Sequence, residues 1–299
     1  MISTQAKNMK EALLQSRNAD EGLDISLEER RKRWEGFASA DPIPEDVIIE
    51  KTVINNITAE RISTNNANKK NVILYFHGGG YCQGSVITHR KLVSHIAKAV
   101  ETPIIVPDYP LAPENPYPAA LHGVEGVYSY LLNNGFNADN IILGGDSAGG
   151  GLAAALTLLL KDKKIPLPRG VFLLSPWLDL TFSGDSVKIY AEKDPICTEE
   201  GLRVNAKDYA GNESTQNPLV SPVYGDISGF PPLLIQAGVE DILLSDSTRF
   251  AEKAEASNVD VKLSLWDEMW HVFQGWPVEV PEADDAIEQI GQFTKAVFK

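Results

Sequence analysis

Apolar positions along this chain fall into two textures. Short unbroken apolar runs recur at Val72–Phe76, Pro103–Val106, Asn140–Leu143, Val171–Leu174 and Pro232–Gln236. Runs of that length with no polar interruption predict strands covered on both faces. Val261-Lys-Leu-Ser-Leu265 alternates instead, as an edge strand does, and residues 46–63, rich in Val, Ile and Thr, predict a strand pair at a sheet edge. Helical patterns separate the runs at about residues 86–99, 117–133, 148–162, 245–257 and 282–298. Strands alternating with helices predict an α/β fold with a mostly parallel sheet and helices on both faces.

Two regions depart from this rhythm. Residues 1–40 read as polar helices, with a capping box from Ser26 to Glu29, and end at Asp41-Pro-Ile-Pro44. Residues 182–222 are polar, carry Pro195, Gly201, Gly211 and Pro218, and contain no strand-like run. They predict an insertion over the mouth of the sheet, with the N-terminal helices beside it as a cap. The expected organisation is therefore cap helices at 1–45, a catalytic domain from 46–181 and 223–299, and a cap insertion at 182–222.

Composition narrows the function classes. With 27 Lys plus Arg against 41 Asp plus Glu, the net charge of -14 disfavours nucleic-acid and anionic-membrane partners. No apolar stretch approaches a membrane span, and the polar residues after Met1 read as no secretory signal. Two cysteines, Cys82 and Cys197, need no disulfide framework. The expectation is a cytoplasmic protein acting on a small molecule.

The strongest chemical signal is Gly145-Asp-Ser147-Ala-Gly149, a G-x-S-x-G pattern between a buried strand and an apolar helix. A serine on so tight a turn stands above the sheet at a helix N-terminus, where developing negative charge is favoured. His77-Gly78-Gly79-Gly80 follows the strand Val72–Phe76 directly, and consecutive glycines let backbone N–H groups approach a ligand. Gly78, Gly79 and the N–H of Ala148 are accordingly read as an oxyanion hole, with His77 supporting the loop.

A nucleophilic serine needs a base and an acid to orient it. Of five histidines, His77 belongs to the glycine loop, and His89, His95 and His122 fall in predicted helices. His271 lies in the loop after the last strand and is read as the base. The loop after Leu233–Ala237 offers Glu240, Asp241 and Asp246. Asp241 stands at the strand's end and is preferred, Glu240 competes one residue away, and capping of the next helix explains Asp246. Asp146 reads as an anchor of the nucleophile turn.

Over about residues 40–298 the chain resembles the bacterial hormone-sensitive-lipase-like esterases (family IV). The resemblance rests on His77–Gly80, Asp108-Tyr-Pro-Leu-Ala-Pro-Glu114, Gly145–Gly149, Asp241 with Leu243 and Asp246, and Met269-Trp-His271. It implies an eight-stranded α/β-hydrolase fold under a helical cap, carboxylesterase activity on short acyl chains, no cofactor or metal, and a possible homodimer. Where the family reads Tyr-Arg-Leu-Ala-Pro-Glu, this chain has Pro110, which removes a cation near Asp108 and Glu114. An amidase, deacetylase or arylformamidase could use the same triad, and a small-molecule receptor could use the same scaffold with a broken one. The aromatics Trp177, Phe182, Tyr190, Trp266, Trp270 and Trp276 are read mainly as packing, with a pocket lining as the alternative.

Overall fold

The computed structural model describes residues 2–20 and 25–299. Among them, eight strands form one sheet: β1 (Val47–Ile54), β2 (Ile57–Thr64), β3 (Val72–Phe76), β4 (Ile104–Pro107), β5 (Ile141–Asp146), β6 (Gly170–Leu174), β7 (Leu233–Gly238) and β8 (Val261–Trp266). Their order is β1-β2-β4-β3-β5-β6-β7-β8. β2 runs antiparallel to both β1 and β4, and every other pairing is parallel.

The helices are α1 (Thr4–Asp20), α2 (Leu27–Ala38), α3 (Arg90–Val100), α4 (Ala119–Asn133), α5 (Ala148–Asp162), α6 (Ser186–Ile189), α7 (Glu199–Ala210), α8 (Leu244–Ala256) and α9 (Pro281–Val297). The unbroken apolar runs split between two layers. Val72, Leu74, Phe76, Leu143, Val171 and Leu173 face α4, α5 and α8, whereas Ile73, Tyr75, Ile142, Phe172 and Leu174 face α3 and α9. Successive side chains of a strand point to opposite faces, so a strand covered on both sides must be apolar throughout.

β1 and β8 keep exposed positions, as sheet edges do. At α2, Ser26 accepts a hydrogen bond from the N–H of Glu29 at 3.2 Å. Only half of the capping box closes, because the Glu29 carboxylate turns to Arg33 instead. α1 packs Ala6 against Met269, Trp270 and Phe273, and Ser3 donates to Glu282 of α9.

The segment 182–222 runs between β6 and β7 and is more ordered than its polar composition predicts. It forms α7, capped by Thr198 accepting from Gly201 N–H at 3.1 Å and ended by Gly211 at φ 59°. Among the described residues no helix is long and apolar enough to cross a membrane.

Candidate active site

The carboxyl ends of β3, β5, β7 and β8 deliver His77, Ser147, Asp241 and His271 to one end of the sheet, where ligand sites of such folds gather. Ser147 sits at φ 52°, ψ -121° between β5 and α5. That backbone conformation is strained for a residue with a side chain, and the surrounding structure must hold it. Gly145 and Gly149 make the turn possible. A Cβ on Gly145 would strike the backbone of Gly149, and one on Gly149 would strike the carbonyl of Phe76.

Three side chains converge from distant stretches of chain. Ser147 Oγ lies 2.9 Å from His271 Nε2, and His271 Nδ1 lies 3.0 Å from Asp241 Oδ1. The relative exposures are 6% for Ser147, 2% for His271 and 0% for Asp241, so water barely screens the chain of contacts. Asp241 is acceptor-only as a carboxylate, so Nδ1–H donates to it and Nε2 is left to accept from the serine hydroxyl. Asp241 Oδ1 also accepts from Leu243 N–H at 2.8 Å, and Val272 N–H donates to Ser175 Oγ at 2.9 Å, fixing the loop after His271.

Burial disfavours the His271 imidazolium, but Cys197 and Asp241 favour it more strongly, and the ring's pKa stands well above its ordinary value. Burial pushes the Cys197 thiol up in turn.

The competing acids have other duties. Glu240 pairs with Lys10, and with Lys193 at 2.9 Å. Asp246 does not cap α8: its Oδ2 accepts from the N–H groups of Leu178 (2.7 Å) and Asp179 (2.8 Å), which pins the loop after β6. Capping therefore fails as the account of Asp246. Its side chain turns away from its own helix because two N–H groups of a neighbouring loop are within reach.

The glycine loop requires one correction. Gly78 N–H lies 3.1 Å from Asp146 Oδ1 and so is spent inside the protein. Its removal from the oxyanion-donor set follows from the anchoring role of Asp146, which also accepts from Tyr75 Oη at 2.7 Å and contacts His89 Nε2 at 3.2 Å. Burial opposes charge on Asp146, but His89 and Tyr75 outweigh it and hold the carboxyl below its ordinary pKa. The N–H groups of Gly79 and Gly80 meet no acceptor among the described residues, and Ala148 N–H at the start of α5 is likewise unspent.

His77 bonds the Gly78 carbonyl at 2.8 Å and stacks on Tyr109 at 4.2 Å, while burial and then His89 push its pKa down to about 3. It is a neutral strut. His89, which the pattern places simply in a helix, is the N-cap residue of α3 and reaches Asp146.

Near Pro110, where the resemblance leads one to expect an arginine, a cation arrives from another segment. Arg31 of α2 donates to Glu114 at 2.7 and 2.9 Å, to the Cys82 carbonyl at 2.7 Å and to the Ala112 carbonyl at 2.8 Å. This fork holds the Glu114 carboxyl at about 2 and ties α2 to the glycine loop. Asp108 stays outside the fork, and partial desolvation raises its carboxyl. The Cys82 thiol is pushed up to about 12 by burial, which makes it inert as a nucleophile.

Comparison with known proteins agrees with this geometry. Residues 73–275 match a family model described as alpha/beta hydrolase fold. An esterase of Acinetobacter venetianus is 40% identical over 232 residues, 77% of each chain. A crystal structure of an esterase from the bacterial hormone-sensitive lipase family is 36% identical and superposes with TM-score 0.95 over 100% of both chains. The chain belongs to the bacterial hormone-sensitive-lipase-like esterases. The structure of EstE5 soaked with p-nitrophenyl butyrate is 34% identical to this esterase, with TM-score 0.94 over 99% of each chain. In this esterase Trp266, Trp270 and Trp276 pack with Phe273 beneath α1, while Tyr190 lies beneath Lys193. Trp177 approaches the nucleophile helix at Gly151, and Phe182 lies 6.1 Å from Trp177, beneath Arg203.

Proposed function

We propose that this esterase hydrolyses short-chain carboxylic esters through an acyl-enzyme formed on Ser147, with His271 as general base and acid and Asp241 as its orienting carboxylate. The observation that carries this reading is the continuous contact chain of 2.9 and 3.0 Å from Ser147 through His271 to Asp241 in a buried setting. His271 takes the hydroxyl proton as Ser147 attacks the ester carbonyl. The N–H groups of Gly79, Gly80 and Ala148 receive the oxyanion. His271 then gives its proton to the departing alcohol, and water enters to release the acid by the same steps. Residues 1–45 and 182–222 serve as the cap.

Packing beside the nucleophile supports small acyl groups. Tyr81 crowds Gly151 in the first turn of α5, stacks on Tyr209 of α7 at 3.7 Å and lies 5.9 Å from Trp177. All three rings are buried and fill that space. A series of p-nitrophenyl esters, with a matched anilide, tests the reading. Turnover is expected to peak at acetate to butyrate and to be far slower on the anilide. A peak at decanoate or beyond, or an anilide cleaved as fast as its ester, would contradict it.

The raised pKa of His271 sets the acidic limb of the pH profile. A base must be neutral to accept a proton, so kcat/KM falls as pH drops through the raised value. Loss of activity therefore begins above the free-imidazole value of about 6.5. Full activity persisting below pH 6, measured at a wavelength insensitive to nitrophenol ionisation, would contradict that assignment.

A further inference from the structure

One buried carboxylate in this site has no part in the reaction just described. Asp194 lies in the insertion, in Asp194-Pro-Ile-Cys197, and is 0% exposed. Its Oδ1 accepts from the N–H groups of Ile196 (2.8 Å) and Cys197 (3.1 Å), closing a turn within the insertion. Its Oδ2 accepts from Ile242 N–H (2.9 Å) and His271 N–H (3.3 Å). Ile242 follows the acid of the triad, and His271 is the base itself. One carboxylate thus joins the insertion to both loops. Asp194, Asp241 and His271 each present a ligand-type atom within 4.8 Å of the others, and Asp241 Oδ2 has no partner among the described residues.

A second carboxylate beside a buried first one is costly unless a positive charge offsets it. Four N–H dipoles offset part of that cost. The imidazolium that His271 becomes during each turnover offsets the rest, and only while it exists.

We propose that Asp194 is a positioning residue of this esterase: it clips the loops of Asp241 and His271 to the insertion, and its charge stabilises the His271 imidazolium. The proposal rests on the triad reading above. Burial and the Asp241 charge push the Asp194 carboxyl up, while His271 and the N–H groups of Ile242 and Ile196 pull it back toward the charged form. The groups that face His271 are Ser147 from the nucleophile turn, Asp241 from the β7 loop, and Asp194 and Cys197 from the insertion. Farther out, Glu240 is neutralised by Lys10 and Lys193, and Arg17 of α1 donates to the backbone carbonyls of Ala191 and Asp194.

The test replaces the charge while keeping a polar acceptor, in Asp194→Asn and Asp194→Ser. Each is read by kcat, KM and the pH dependence of kcat/KM on p-nitrophenyl butyrate, with circular dichroism to confirm folding. Both neutral variants are expected to lose roughly 10- to 100-fold in kcat through misplacement of the base. Their acidic limb is expected to move down by about one pH unit, because a nearby negative charge that favoured the imidazolium is gone. Arg17→Ala, which loosens the same segment without removing that charge, is expected to leave the limb in place.

A folded neutral variant with an unmoved limb overturns the proposal, whatever its kcat, since a purely structural role would show that. Failure of both neutral variants to fold also overturns it, making Asp194 a determinant of folding instead. If the unaltered enzyme itself shows no covalent chemistry at Ser147, the triad reading fails, and that outcome is separate from either of these.

Discussion

Ser147→Ala abolishes ester hydrolysis, with kcat expected to fall by roughly five to six orders of magnitude, the scale on which nucleophile removal acts in serine hydrolases. The expectation follows from how little else could attack. Of the hydroxyls and thiols near His271, Ser147 alone stands on the strained turn at 2.9 Å from Nε2. Cys197, the thiol that faces His271, has its pKa raised by burial, which disfavours the reactive thiolate. Any residual activity is expected to come from the proposed oxyanion donors, the N–H groups of Gly79, Gly80 and Ala148, polarising a bound carbonyl. Folding is expected to survive. The Ser147 side chain caps no N–H group of α5, so its loss costs about one hydrogen bond, ~1 kcal/mol. Steady-state kinetics and a thermal melt on the same preparation check both halves. Activity within tenfold of the unaltered enzyme would contradict the assignment.

Asp241→Asn is the second large effect, an expected loss of about 10⁴-fold in kcat. The cause is a tautomer. The carboxylate can only accept, which places the proton on His271 Nδ1 and frees Nε2 for the serine. An asparagine can present its NH₂ to Nδ1, which moves the ring proton to Nε2 and removes the base. Glu240→Gln is the control from the neighbouring position. Because Glu240 faces Lys10 and Lys193, its neutralisation is expected to change kcat by no more than about threefold. A large loss in Glu240→Gln with a small one in Asp241→Asn would reverse the two roles.

The sequence makes some of this legible for a physical reason. β3, β5, β6 and β7 announce themselves because a strand covered on both faces must be apolar along its length. The turn around Ser147 is legible because only glycine fits at positions 145 and 149, where Cβ atoms would meet backbone. His271 emerges from its place after the last strand.

What stays hidden depends on contacts between segments far apart in sequence. Gly78 looks like an ideal oxyanion donor until Asp146 is seen to take its N–H. His89 reads as an ordinary helix residue because nothing local records its reach to Asp146. Arg31 reaches Glu114 from α2, a pairing that nothing local to Pro110 records. Asp194 carried one local signal, an aspartate before proline that opens a turn. Its link to His271 spans the whole distance from the insertion to the last loop, and no periodicity encodes that.

The most direct measurement is covalent. Treatment with a p-nitrophenyl phosphonate, followed by intact-mass analysis and peptide mapping, counts and locates the activated nucleophile. One adduct per chain on the peptide holding Ser147, formed far more slowly in His271→Ala, is the predicted result. Inactivation without modification of Ser147, or an adduct on another residue, would contradict it.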